Sequence, residues 1–223
     1  MDTFSTALVQ EEEMFFLSLI IRNITVVNAS GRDEQMDVWM KDGKIAQVAH
    51  HIEAQGIEQL DGSGKFLLPG FIDMHIHGSA QMDTMDASDE GLHIMAKSLL
   101  KEGTTSFLAT TMTQSFDNIE RAIANVAQFQ PKSDEAELLG LHIEGPFVSK
   151  QRAGAQPLDY IVQPDIEVMT KWQALSGQKI KQITLAPEEP NGMTAVQSLS
   201  ENGIIVSIGH SDATFEQMQE AVQ

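Results

Sequence analysis

Two histidines, His75 and His77, close an apolar run that reads Phe71-Ile72-Asp73-Met74-His75-Ile76-His77. On a β-strand, positions i and i+2 share a face with Cα atoms roughly 7 Å apart, so two imidazoles at that spacing can close on one metal ion. The same alternation puts Asp73 with the histidines and sends Ile72, Met74 and Ile76 to the opposite face, where helices are expected to cover them. Two further candidates end later apolar runs. Glu144 stands in His142-Ile143-Glu144-Gly145-Pro146-Phe147, and His210 in Ile208-Gly209-His210-Ser211-Asp212. A buried carboxylate needs a cation beside it, and a metal shared with the histidines would supply one. His210 has the parity of Ile204, Val206 and Ile208, so it reaches the same rim only through a local bend, expected at Gly209. His142 has the parity of Glu144 and reads as support behind the site. His50, His51 and His93 lie in surface or loop contexts and read as ordinary. For each candidate alone, the plainer reading is a hydrogen-bonded core histidine or a solvated strand-end acid. Their joint occurrence on successive strand ends favours a metal site.

The 223 residues include no cysteine, which removes thiol nucleophiles, disulfides and thiolate metal sites. Three histidines and a glutamate then describe a hydrolytic centre for Zn²⁺ first, with Fe, Mn or Co as alternatives. Such an ion lowers the pKa of its water and polarises a carbonyl. A bridging Glu144 would allow two ions, and a single ion is equally compatible. The general acid/base is not identified: Asp212 is within reach in sequence, but its helix-start context predicts capping instead.

With 32 acidic against 14 basic side chains the net charge is −18, which repels phosphate backbones and argues against a nucleic-acid partner. The most apolar run, Met14 to Ile21, is about half the ~20 residues needed to span a bilayer. It follows Glu11, Glu12 and Glu13, whereas a secretory signal opens on basic residues. The expectation is a soluble, cytoplasmic chain with no membrane partner and a loosely ordered leader over residues 1–17.

Two kinds of element must position the candidates. Leu19–Asn28, Met36–Met40, Lys44–Val48 and Phe66–Leu68 read as strands, the middle pair joined by the hairpin signal Asp42-Gly43, so this first quarter is expected to be antiparallel β. After Pro69-Gly70 the period changes. Strands at Phe71–His77, Thr104–Thr110, Leu138–Ile143, Ile180–Ala186 and Ile204–Ile208 alternate with helices at Ser88–Glu102, Ser115–Phe129, Asp165–Ser176, Met193–Glu201 and from Thr214 onward. The last helix is expected to present Phe215, Met218 and Val222 on one apolar face. Five consecutive βα units require a parallel sheet, either doubly wound or a (β/α)₈ barrel. No Gly-rich phosphate loop follows the first strand, and the candidate ligands sit at strand carboxyl ends, as in barrels. The expected fold is therefore α/β, a TIM-type barrel truncated after about five units.

The motifs Leu68-Pro69-Gly70-Phe71-Ile72-Asp73-Met74-His75-Ile76-His77-Gly78, Gly103-Thr104-Thr105 and Leu141 to Phe147 resemble the amidohydrolase superfamily. With Gly154-Ala155-Gln156, Leu185-Ala186-Pro187-Glu188 and Gly209 to Ala213, the resemblance narrows to the N-acetylglucosamine-6-phosphate deacetylases, from about Ile21 onward. It implies a barrel over residues 69–223 and part of a small β-sandwich over 18–68. It also implies hydrolysis of the acetamide of N-acetylglucosamine 6-phosphate, a small sugar-phosphate partner, and a homodimer. In family terms His75, His77 and Glu144 hold one ion, Glu144 and His210 the other, and Ala155 and Gln156 contact the sugar. Many members carry His where Gln156 stands. A further metal-binding His, the catalytic Asp and the phosphate-binding residues are expected beyond Gln223, so the chain by itself is expected to be weakly active or inactive.

Two other readings compete. Dihydroorotases and hydantoinases usually bridge their metals with a carboxylated Lys, which Ala186-Pro187-Glu188 does not offer. A non-catalytic half-barrel partner is the reading from a different class.

Overall fold

The structure is a computed structural model that describes residues 18–223, so the leader expected over 1–17 lies outside the described residues. The chain divides at Pro69–Gly70 into two compact units.

The first unit is one five-stranded sheet: β1 (Leu19–Asn28), β2 (Gly31–Lys41), β3 (Lys44–Ala49), β4 (Glu58–Asp61) and β5 (Phe66–Leu67). β1, β2 and β3 pair antiparallel, and the β2–β3 turn carries positive φ at Asp42 and Gly43, as a tight two-residue hairpin requires. The expectation of a wholly antiparallel first quarter is corrected here. β4 and β5 both run parallel to β1, because the chain crosses after β3 to the far edge of β1 before pairing again. β4, Glu58-Gln59-Leu60-Asp61, has no place in the sequence reading; every residue in it is exposed, so it carries no burial pattern.

Asp37 organises this sheet from the inside. It is 4% exposed and accepts hydrogen bonds from the Arg22 guanidinium and from the backbone N–H groups of Asn23 and Ile52, at 3.1 and 3.0 Å. Burial alone would raise its pKa, but the Arg22 bond and the two N–H donors outweigh it and hold the carboxyl below its usual range.

The second unit opens with β6 (Phe71–Ile76) and a short ribbon, β7 (Gly78–Ser79) with β8 (Met82–Asp83). Then α1 (Asp89–Lys101), β9 (Thr104–Thr110), α2 (Phe116–Gln128), β10 (Glu137–Glu144), α3 (Ile166–Leu175), β11 (Ile180–Leu185), α4 (Gly192–Glu201), β12 (Ile205–Ile208) and α5 (Phe215–Ala221) follow. Strands β6, β9, β10, β11 and β12 lie in chain order and pair parallel throughout. A doubly wound sheet reverses its order at a switch point; this one does not, and it forms a curled half-barrel. Helix starts are set by side chains: Ser88 accepts from Gly91 N–H, Ser115 from Asn118 N–H, and Asp165 from two N–H groups. The α2 stripe of Ile119, Ala122, Ile123 and Val126 is completely buried.

The core forms where helix stripes meet one face of the strands, through Phe107, Ala109, Leu141, Ile143, Ile183 and Leu185. The alternate residues Thr110, His142, Glu144, Gln182 and Thr184 are also buried but face the other way, making a polar inner wall. Two packing expectations need correction. Ile72 and Met74 are 61% and 56% exposed, because among the described residues β6 pairs on one side only; Ile76 alone of that face packs on the core. Phe215 and Val222 are likewise exposed, at 71% and 74%, with no described element over them. Among the described residues no helix is long and apolar enough to cross a membrane.

Removing Asp37 strands the Arg22 charge and two backbone donors. Asp37→Ala is expected to destabilise the chain by about 2–4 kcal/mol in urea unfolding. Because the folded pKa is depressed, the wild-type contribution is present above the ordinary carboxyl value of 3.8 and is lost as pH falls below it.

Candidate metal centre

Parallel pairing in chain order brings the carboxyl ends of the strands to one rim. Thr110 of β9 lies beside His142 of β10, and Glu144 beside Thr184 of β11. Glu144 is the last residue of β10 and is 4% exposed. Gly145 then takes φ +67°, and a β-carbon there would lie 1.9 Å from Thr113 Oγ1, so only glycine fits. At the end of β6 the pairing with β9 becomes irregular between Asp73 and Ile76. There the His75 N–H bonds to Asp73 Oδ1 and the Ile76 N–H to Thr110 Oγ1. Such a departure from a regular ladder re-aims side chains, here the two histidines. His210 follows β12 in a left-handed turn of its own, φ +50°. The bend expected at Gly209 is thus at the histidine itself.

These elements place four side chains in contact. His75 Nε2 and His77 Nε2 lie 3.4 Å apart, and 2.6 and 3.0 Å from Glu144 Oε2. His210 Nε2 lies 2.8 Å from the other oxygen, Oε1. The far nitrogens of two rings are engaged by carbonyls: His77 Nδ1 is 3.3 Å from Thr110 O, and His210 Nδ1 is 3.0 Å from Arg152 O. A carbonyl only accepts, so each Nδ1 carries a proton, and a ring without a second proton turns an Nε2 lone pair toward Glu144. Lone pairs aimed at an ionised carboxylate repel unless a cation lies between them.

The buried atoms agree. Glu144 Oε2 receives no aligned hydrogen bond despite its two close nitrogens. Burial would raise the Glu144 pKa, but His77, His75 and His210 hold it at about 2. Glu144 in turn raises the pKa of His77. The cluster attracts positive charge, and its nitrogen and oxygen donors suit a divalent ion without thiolates.

Of the residues singled out in the sequence, His75, His77, Glu144 and His210 come together. His142 is fully buried behind them, its ring edge on to His75 with centroids 4.7 Å apart and Nε2 2.8 Å from Thr184 Oγ1. Burial and the nearby His75 push its pKa down to about 4, so it is neutral. His93 pairs with Glu135 at 2.9 Å on a different surface. Gln156 is 4% exposed: its Nε2 donates to Glu144 Oε1 at 2.9 Å, and its Oε1 accepts from Thr113 N–H at 3.0 Å. Ala155 beside it is exposed. Asp212 does not cap α5; Thr214 does, in a capping box with Gln217, and Asp212 pairs with Arg152 instead. Sequence reasoning missed Gln156 as the partner of Glu144, and the Thr110 and Arg152 carbonyls. Backbone carbonyls carry no residue-type signal.

Two outcomes follow. In chelator, the Glu144–His77 contact contributes fully to stability between about pH 4.5 and 6.5. That contribution is lost below this window, as Glu144 protonates toward pH 2, and above it, as the raised His77 gives up its proton; urea midpoints against pH, compared with His77→Ala, test this. Gly145→Ala, which meets Thr113 and an unfavourable φ, is expected to lower stability by about 2–4 kcal/mol and to weaken metal binding, read by thermal melts and equilibrium dialysis.

Comparison with known proteins identifies the family of this chain. Residues 66–223 match the model of the amidohydrolase family. The chain is 86% identical, over 94% of its length, to an N-acetylglucosamine-6-phosphate deacetylase of Lysinibacillus sphaericus, and 43% identical over 92% to one of Bacillus subtilis (strain 168). It covers 54% of each, so it spans about half the length of these curated relatives. A crystal structure of N-acetylglucosamine-6-phosphate deacetylase from Pasteurella multocida superposes with a TM-score of 0.83 at 29% identity, covering 92% of this chain and 54% of that one. With the family match spanning most of its length, the chain belongs to the amidohydrolase family.

Proposed function

We propose that this chain carries metal-binding residues of an enzyme that hydrolyses N-acetylglucosamine 6-phosphate to glucosamine 6-phosphate and acetate. The observation that carries the reading is the convergence of three imidazoles on the two oxygens of Glu144. The 86% identity to a relative bearing that name supports the substrate. His75, His77 and Glu144 would hold one divalent ion, and His210 with Glu144 a second. Zn²⁺ is the ion proposed, ahead of Fe, Mn or Co. When bound, it supplies Lewis-acid activation of water and of the acetamide carbonyl. The chain's own residues do the positioning. Thr110 and Arg152 carbonyls fix the ring tautomers, Gln156 aims Glu144, and the loop bearing Ala155 borders the sugar. In the reaction the oxygen of water joins the acetyl carbon, the C–N bond breaks, and the amine leaves with a proton.

In the same reading residues 18–68 form part of a β-sandwich and 69–223 part of the barrel, in a cytoplasmic homodimer whose partners include neither nucleic acid nor membrane. Asp212, the acid/base candidate within reach in the sequence, is committed to Arg152. Turnover by these 223 residues alone is therefore proposed to be low. The loop directly after β11, Ala186-Pro187-Glu188, offers no Lys to carboxylate, which disfavours a cyclic amidase.

In equilibrium dialysis the chain is expected to bind one or two Zn²⁺, and Glu144→Gln to lose tenfold or more in affinity, on the order of a lost buried ligand. Acetate release from N-acetylglucosamine 6-phosphate by the Zn²⁺-loaded chain should be far slower than that of a full-length family member and absent in Glu144→Gln. Preferential hydrolysis of a cyclic amide would overturn the substrate reading, and full-length rates would overturn the low turnover proposed here.

A further inference from the structure

We propose that Glu188 is a positioning residue that holds His210 in the turn from which its ring reaches Glu144. The inference rests on the metal-site reading above only for its consequence, not for its geometry. His210 has a side chain and yet sits at φ +50°, a conformation such residues keep only when their surroundings over-determine it. The surroundings here are three successive strand-end loops. From the loop after β10, the Ser149 N–H donates to His210 O at 2.8 Å, and Arg152 O accepts from the ring at 3.0 Å. Gly154 packs on the ring, where an added β-carbon would lie 3.4 Å from His210 Cε1. From β11, Leu185 O accepts the Gly209 N–H at 3.3 Å.

These bonds fix the chain up to His210. Beyond it, the turn is held by Glu188, in the loop after β11. Its Oε2 accepts from Ser211 Oγ at 2.7 Å, and its Oε1 accepts from the Asp212 N–H. Ser211 Oγ accepts in turn from the Ala213 N–H at 3.0 Å. Arg152, which reaches this turn from the loop after β10, pairs with Asp212, and among the described residues Glu188 forms no ion pair. Glu188 thus works as a two-oxygen acceptor that spans from one strand end to the next, not as half of an ion pair. With both oxygens engaged on the two residues after His210, it closes the left-handed turn. Without it, the turn can relax and the ring leaves its Arg152 contact, so the Nε2 lone pair no longer points at Glu144 Oε1.

The test compares wild type with Glu188→Ala, Glu188→Asp (too short to reach both donors) and Glu188→Gln, which keeps one acceptor oxygen and a donor that Ser211 Oγ can take. In the metal-free chain labelled with ¹⁵N-histidine, His210 should show a single Nδ1–H tautomer in wild type, tautomer averaging in the Ala and Asp variants, and a nearly wild-type signal in Gln. Ring signals unchanged in Ala, or in Asp should Ala fail to fold, would overturn the proposal. In Co²⁺ titrations followed by visible absorption, Ala should weaken the His210-side ion about tenfold or more, with the His75/His77 ion kept and Gln restoring affinity. Unchanged Co²⁺ binding in Ala would also overturn it. A wild-type chain that takes up no Co²⁺ would sink the metal reading, and the ring-nitrogen comparison would still decide the role of Glu188.

Discussion

The interaction on which the site depends is the meeting of a buried carboxylate with imidazole lone pairs. The Nδ1 atoms of His77 and His210 are engaged by backbone carbonyls, so their neutral rings cannot offer Glu144 a proton through Nε2. Only an added positive charge reconciles the group. A proton does so in part, as the raised pKa of His77 records. A divalent ion does so for all the donors at once.

The protein contains a second buried carboxylate that shows the contrast. Asp37 is as buried as Glu144, but it meets a guanidinium and two N–H groups, all donors, and so completes itself within the chain. Glu144 Oε1 accepts from Gln156 Nε2 and faces the aligned His210 Nε2, while Oε2 faces two ring nitrogens with no aligned hydrogen bond. Both side chains are nearly closed off from solvent. The difference lies in what the neighbours can donate, and that difference separates a structural acid from one built to share a cation.

The half-barrel makes such a group affordable. Alternation along β9, β10 and β11 sends Phe107, Leu141, Ile143 and Ile183 into the helix-covered core and leaves Thr110, His142, Glu144 and Thr184 on the inner wall. Parallel pairing in chain order aligns the strand ends, and the loops that leave them then supply the carbonyls and carboxylates that orient the rings. Members of the polar inner wall bond to one another, as His142 does to Thr184.

Much of this was legible in the residue order. Period-3.6 stripes bounded by Ser88, Ser115 and Asp165 set the helices, and i, i+2 alternation with strand-end position picked out His75, His77 and Glu144, since both are local consequences of backbone geometry. The parallel pairing of β4 and β5 with β1 was not legible, because an exposed four-residue strand has no burial pattern and its direction depends on where the crossover goes. Nor was the exposure of Ile72 and Met74, which depends on which neighbours cover an edge strand. His210 lies between the two cases. Its residue type and place at a strand end were visible, but its wrong parity is resolved only by a left-handed turn held from two other loops. The sequence by itself determined which side chains could bind a cation and on which strand ends they fall. Tertiary structure alone decided their tautomers and aim, because those depend on carbonyls and carboxylates dozens of residues away.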